Sequence, residues 1–203
     1  MSRYRGPRLR IVRRIGVLPG LTRKISNRNS YPGQNTSSSN KKVSLFNVRL
    51  REKQKLRFNY GINERQLLNY VKLARRKKGS AGRILLSLLE MRLDNIVFRL
   101  GFAPTIYSAR QLVNHGHVLV DSSCVNIPSF ICRPRSFISV KRSSTSLSLV
   151  RFNLENSTSL VVPQHLSVNL QELEAKIIGF VNRKSISILV NELLIIEYYS
   201  RKL

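Results

Sequence analysis

Met91-Arg92-Leu93-Asp94-Asn95-Ile96-Val97-Phe98-Arg99-Leu100-Gly101 is the stretch on which the fold turns. Leu93, Ile96, Val97 and Leu100 recur at helical spacing along one face, and Gly101 is placed to end that helix. Thr105 then offers a side-chain cap to a second helix running through Ala109, Arg110, Gln111, Leu112 and Val113 to Gly116. Beyond it, His117-Val118-Leu119-Val120 and Cys124-Val125-Asn126-Ile127 read as a hairpin across Asp121-Ser122-Ser123. Phe137-Ile138-Ser139-Val140 supplies a third strand after Pro134. Two short helices and an antiparallel ribbon make an α+β module over residues 91–150. With the apolar face inward, Arg92 and Arg99 are expected to point outward, seven residues apart. The second helix is expected to present Arg110, Gln111 and Asn114, with His115 and His117 beyond its end.

Upstream, residues 45–90 read as helical. Asn63 and Gln66 have capping-box spacing, and Leu67, Leu68, Tyr70, Val71 and Ala74 follow the helical period. Arg75-Arg76-Lys77-Lys78 fall in the last turn before Gly79, and Leu85, Leu86, Leu88 and Leu89 open another apolar helix. Residues 1–44 carry the breakers Pro7, Pro19-Gly20 and Pro32-Gly33 and end in a polar stretch, Gln34 to Lys42, so an extended basic arm is expected. Arg3, Arg5, Arg8, Arg10, Arg13 and Arg14, interleaved with Ile11, Val12 and Ile15, favour an arm that orders on a phosphate-lined groove. An acid-free start rich in Arg and Ser also has the composition of an organellar transit peptide, a reading set below ordered RNA contact. Downstream, Ser143 to Ser148 reads as a linker, and Leu160-Val161-Val162-Pro163 and Leu166-Ser167-Val168 as short apolar patches. Val190 to Arg201 is an apolar segment open between strand and helix, expected to pack onto the helices of 45–90.

Charge narrows the partner. The formal net charge is +26, and residues 1–90 hold 23 Lys and Arg against three Glu. Such density repels itself unless a polyanion neutralises it, and nucleic acid converts it into binding through counterion release. RNA is favoured over DNA, because the module is short and lacks the dimer signals of half-site DNA readers. The 42% hydrophobic content supports a true core, and no apolar run approaches a membrane span. Cys124 and Cys132 have no second pair or spaced His to complete a zinc site, so they are expected as two buried reduced thiols. His115 and His117, two apart with only His165 elsewhere, are read against phosphate or solvent rather than metal. No cofactor and no metal are expected. Paired carboxylates, a nucleophile–base set and a phosphate-cradling Gly loop are all missing from the sequence, which reads as non-catalytic.

Met91 to Gly101, Ala109-Arg110-Gln111-Leu112-Val113 and Val125-Asn126-Ile127-Pro128-Ser129 together resemble the RNA-binding module of the small-subunit ribosomal protein four family. Further motifs of that family stand in the same order: Arg3-Tyr4-Arg5-Gly6-Pro7, Leu50-Arg51-Glu52-Lys53-Gln54-Lys55, Glu64-Arg65-Gln66 and Asn191 to Ser200. Pro19-Gly20-Leu21-Thr22 and Glu197-Tyr198-Tyr199-Ser200-Arg201 look most like plastid-encoded members. The resemblance implies a structural component of the small subunit of the plastid (chloroplast) ribosome, with the bacterial cytoplasm as alternative compartment. It implies primary binding of the 5′ domain of small-subunit rRNA, nucleation of assembly, and contact with ribosomal protein five at an interface linked to decoding accuracy. It also implies a helical domain, 45–90 completed by 189–203, with an α/β domain, 91–188, inserted between its parts.

Lys53, Lys55 and Arg57 join the arm arginines and Arg92, Arg99, Arg110, Gln111, Asn114, His115 and His117 as expected rRNA contacts. Lys41, Lys42 and Arg49 are counterparts of residues near the entrance for messenger RNA. The chain departs from the family at three motifs, and residues 141–189 match it poorly. The first forty residues lack the four cysteines that hold zinc in many bacterial members. Asp121-Ser122-Ser123 replaces Asn-Gly-Arg at the hairpin turn, and Gly116 replaces a basic residue. A non-ribosomal RNA-binding factor, or an RNA-modifying enzyme carrying the same module, is the runner-up. The enzyme reading needs a placed Asp in a further domain, and none follows Asp121.

Overall fold

Capping residues set where the helices begin. A computed structural model describes residues 4–28, 30–33, 44–156 and 162–200. Ser44 accepts from the Asn47 amide to open α2 (Leu45–Asn59), and Asn63 with Gln66 forms the expected capping box of α3 (Glu64–Arg76). Helix α4 (Ala81–Glu90) follows, and Glu192–Ser200 forms α8. The chain gathers into two units, residues 1–85 with 189–203 and residues 86–188, so α4 begins in the first and ends in the second.

In the first unit α8 packs against α2 and α3. Leu56, Leu67, Val71, Ala74, Ile195 and Tyr199 fill its core. Polar ties hold the returning C-terminal segment. Glu52 accepts from the Asn191 amide at 2.9 Å, and the Tyr199 hydroxyl donates to Glu64 at 2.7 Å. Gly82 sits where a Cβ would fall 2.6 Å from the Glu192 Cβ, an approach only glycine permits. The ambiguity of the terminal apolar segment resolves as helix because Ile195, Tyr198 and Tyr199 recur at three- and four-residue spacing and are buried together.

The basic arm is less irregular than its breakers suggest. Arg8–Ile15 forms α1, which packs on α2. Pro7 stands at the N-cap, and Gly16, with φ at +113°, ends the helix. Thus the breakers bound a helix instead of forbidding one. Leu18 and Leu21 are fully buried, and the Gly20 amide donates to Asn59 at 3.1 Å. Those apolar anchors supply the burial that an arginine-rich arm read by composition lacks.

In the second unit, α5 (Leu93–Arg99) and α6 (Ile106–Asn114) precede β1 (Val118–Val120), β2 (Ser123–Cys124) and β3 (Phe137–Val140). Then come α7 (Ser144–Glu155), β4 (Leu166–Asn169), β5 (Glu174–Ile177) and a 3₁₀ turn at Arg183–Ser185. The five strands form one antiparallel sheet in the order β2-β1-β3-β5-β4. Thr105 caps α6, and Leu93, Ile96, Val97 and Leu100 lie in the core.

Several expectations change in this unit. The hairpin turn has two residues, since Val120 pairs with Ser123. Asp121 and Ser122 both take left-handed φ, +47° and +67°. The Asp121 carboxylate holds that geometry by accepting from the Phe137 amide at 2.7 Å and the Ser136 hydroxyl at 3.1 Å. The second strand pairs only at Ser123 and Cys124. Ser143 to Ser148 is the start of a helix rather than a linker, because Ser143 accepts from the Ser146 amide and Val150 reaches the core. The patch at Leu166 is β4, and its partner β5 shows the alternate burial of a sheet packed on one side.

Cys124 is exposed, so only one thiol is buried. Cys132 is, and burial, with the charges of Asp121 and Asp94, pushes its pKa up to about 12. Among the described residues no helix is long and apolar enough to cross a membrane.

Candidate nucleic-acid interface

The structure sorts the expected contacts by whether a carboxylate answers them. Asp94 is the centre of the largest group. Arg92 donates to its two oxygens as a fork, Nε at 3.0 Å and Nη2 at 2.8 Å, and Arg110 Nε reaches Oδ2 at 2.7 Å. Both Arg92 and Asp94 are 1% exposed. Arg99 forks onto Glu90 at 3.2 and 2.7 Å and donates from Nη1 to Ser187 at 2.7 Å; Asn95 Nδ2 donates to the same Glu90 Oε2 that Arg99 Nε reaches. The expectation that Arg92 and Arg99 point outward is therefore corrected, and Arg110 is mostly buried with them. Buried carboxylates require partners, and the nearest guanidinium groups fold inward to supply them.

Lys53 is turned inward in the same way. It is 4% exposed, pairs with Glu64 at 3.0 Å and lies 4.7 Å from the centre of the Tyr198 ring. Burial works to raise the Glu64 pKa. Hydrogen bonds from Tyr199 and Lys53, with the charges of Lys53 and Arg57, outweigh it and hold the carboxyl below its usual range. The Tyr199 phenol is pushed up by burial and by that same carboxylate. Lys55 pairs with Glu52 at 2.6 Å and Arg49 with Glu197 at 2.8 Å. Arg57 donates to Gln54 at 3.4 Å and lies over the Phe58 ring.

Other expected residues do face solvent. Arg5, Arg10 and Arg14 are exposed, while Arg8 reaches the Leu21 carbonyl and Arg13 holds the Ser30 carbonyl at 2.7 and 3.0 Å. Gln111, Asn114 and His115 are exposed together at the end of α6. His117 is half-buried, with Nδ1 2.8 Å from the Ser146 hydroxyl. Arg3, Lys41 and Lys42 lie outside the described residues.

A face outside that expected set stands out. Arg65, Lys72, Arg75, Arg76, Lys77, Lys78 and Arg83 are all exposed along α3 and the start of α4, and among the described residues none makes an ion pair. Its signal was in the sequence: no acid stands between Glu64 and Glu90. Arg65, Lys72 and Arg76 share one side of α3 by their spacing. Uncompensated cations on a fixed helical face can neutralise a row of phosphates without ordering a flexible tail. No group of His, Cys, Asp and Glu suited to a metal ion occurs among the described residues.

Two family models fall on this scaffold of a basic helical unit followed by two helices and an antiparallel sheet. Residues 3–90 match the ribosomal protein S4/S9 N-terminal domain, and residues 91–138 match the S4 domain. Small ribosomal subunit protein uS4c of Euglena gracilis is 64% identical over 204 residues, covering both chains in full. Its namesake in the moss Leucodon sciuroides is 55% identical and uS4 of Synechococcus elongatus 58%, each over 202 residues and again in full. The chain belongs to the uS4 family of ribosomal proteins, with plastid-type and cyanobacterial relatives.

Proposed function

We propose that the chain is a non-catalytic, rRNA-binding component of the small subunit of the plastid ribosome. It acts as a primary binder of the 5′ domain of the rRNA, helping to nucleate assembly of the subunit body. It neighbours ribosomal protein five and the entrance for messenger RNA, and contributes there to accuracy. The observation that carries this reading is the unanswered positive charge of the first unit, set beside carboxylates already engaged inside the fold. Full-length kinship with small-subunit proteins supports the subunit and the compartment. Arg49, paired with Glu197, is the described residue assigned to the messenger side. RNA shape and phosphate spacing, not base edges, are the recognised features.

The test is titration of a transcript of the small-subunit rRNA 5′ domain at several salt concentrations. A steep inverse dependence of affinity on salt is expected. Failure to bind the transcript above an unrelated duplex, or absence from small subunits in a plastid extract, overturns the assignment.

A further inference from the structure

We infer that a cleft in the first unit receives one nucleotide turned out of the RNA stack. This rests on the RNA-binding reading above and adds a subsite to it. The cleft holds about 430 Å³ between α1, the segment at Tyr31 and α2, and Arg13, Arg14, Tyr31, Arg51 and Lys55 supply its polar and aromatic lining. Ile15 and Val48 add an aliphatic surface. A cleft lined only by cations would suit any stretch of phosphate backbone. This one also carries an aromatic ring that is 57% exposed beside aliphatic carbons, a combination that suits a flat base more than a phosphate.

Glu52 strengthens the distinction. Its carboxylate lines the same cleft, fixed by Lys55 at 2.6 Å and by the Asn191 amide at 2.9 Å. Glu52 and Lys55 answer each other, so that part of the lining offers a phosphate no spare cation, whereas the exposed Arg14 does. Arg14 and Arg51 make no hydrogen bond or ion pair among the described residues and are available to flanking phosphates. Arg13 is fastened to Ser30, which sets the segment carrying Tyr31 against α1. The backbone that carries the ring is thereby tied to α1 before RNA arrives, which reduces the ordering cost of stacking.

The test uses the full chain and the 5′-domain transcript. Tyr31→Ala is expected to weaken binding roughly 5- to 100-fold at fixed salt, as for loss of one stacked base, with the salt slope unchanged. Tyr31→Phe, which keeps the ring, should bind as the unaltered protein does. Joint Arg14→Gln and Arg51→Gln replacement should instead flatten the slope by about 0.7 for each phosphate no longer neutralised. Unaltered binding by Tyr31→Ala, or an equal loss in Tyr31→Phe, overturns the inference while leaving RNA binding intact. A transcript ignored by the unaltered protein overturns the broader assignment instead. Exposure of Tyr31 means that neither replacement removes a core residue.

Discussion

Residues 91–114 and residues 65–83 are both rich in arginine, yet their charges do opposite things. In the first stretch Arg92, Arg99 and Arg110 each close on Asp94 or Glu90. In the second, seven cations stand on α3, the turn after it and the start of α4, with no carboxylate paired to any of them among the described residues. Counting cations treats these stretches alike. Asking which cations have an acid within reach separates a structural network from a surface that needs an external anion. In a chain with 36 Lys and Arg and 10 Asp and Glu, the acids are therefore the informative residues.

The sharpest way to break this comparison is Asp94→Ala. It leaves Arg92 and Arg110 buried without their shared partner, and a loss of about 3–5 kcal/mol is expected in urea unfolding. A loss below about 1 kcal/mol would mean that the network is not structural. Joint replacement of Arg75, Arg76, Lys77 and Lys78 by Gln should do the reverse. Stability should move by no more than about 0.5 kcal/mol per site, while the salt slope of RNA binding falls by about 0.7–0.9 for each phosphate left unneutralised. An unchanged slope would remove this face from the interface.

Tyr199→Phe probes the first unit's own polar tie. Losing the bond to Glu64 should cost about 1–2 kcal/mol at neutral pH. Because the Glu64 pKa lies below its ordinary 4.5, its stabilisation is complete above that value and is lost as pH falls through the folded pKa. The variant should show a weaker loss there, read from unfolding at stepped acid pH.

The smallest effect concerns His165 in the second unit, 6% exposed with neither ring nitrogen hydrogen-bonded among the described residues. Burial lowers its pKa below 6.5, Glu90 opposing and Arg99 reinforcing the shift. The folded form resists a proton that the unfolded chain accepts, so stability is complete above 6.5 and falls as pH drops towards the lowered value. His165→Leu should abolish that slope and add about 1 kcal/mol at neutral pH, since an unsatisfied buried group is removed. An unchanged pH profile would refute this account.

The module was legible because its signals are local. Leu93, Ile96, Val97 and Leu100 mark a face, Thr105 marks a cap, and Phe137 to Val140 marks a strand. Side-chain direction was less so. An arginine off the apolar face reads as solvent-facing, but Arg92 turns back onto Asp94 two residues away, a fork that helical periodicity does not encode. Helix α1 was hidden because Leu18 and Leu21, not its own composition, anchor that segment. Helix α7 was hidden because Ser143 works as a cap within a run of Ser and Thr that also suits a loop. The α3–α4 face could be read only from the acid-free interval between Glu64 and Glu90.

The return of α8 to α2 has a consequence for the order in which the nascent chain can mature. Residues 86–188 are continuous and can close as soon as they emerge during synthesis, whereas the tie between Glu52 and Asn191 spans 139 residues. The basic half thus waits, incomplete, for the last segment to be made, and a stop codon shortly before Glu192 would deprive it of Ile195, Tyr198 and Tyr199 while sparing the sheet.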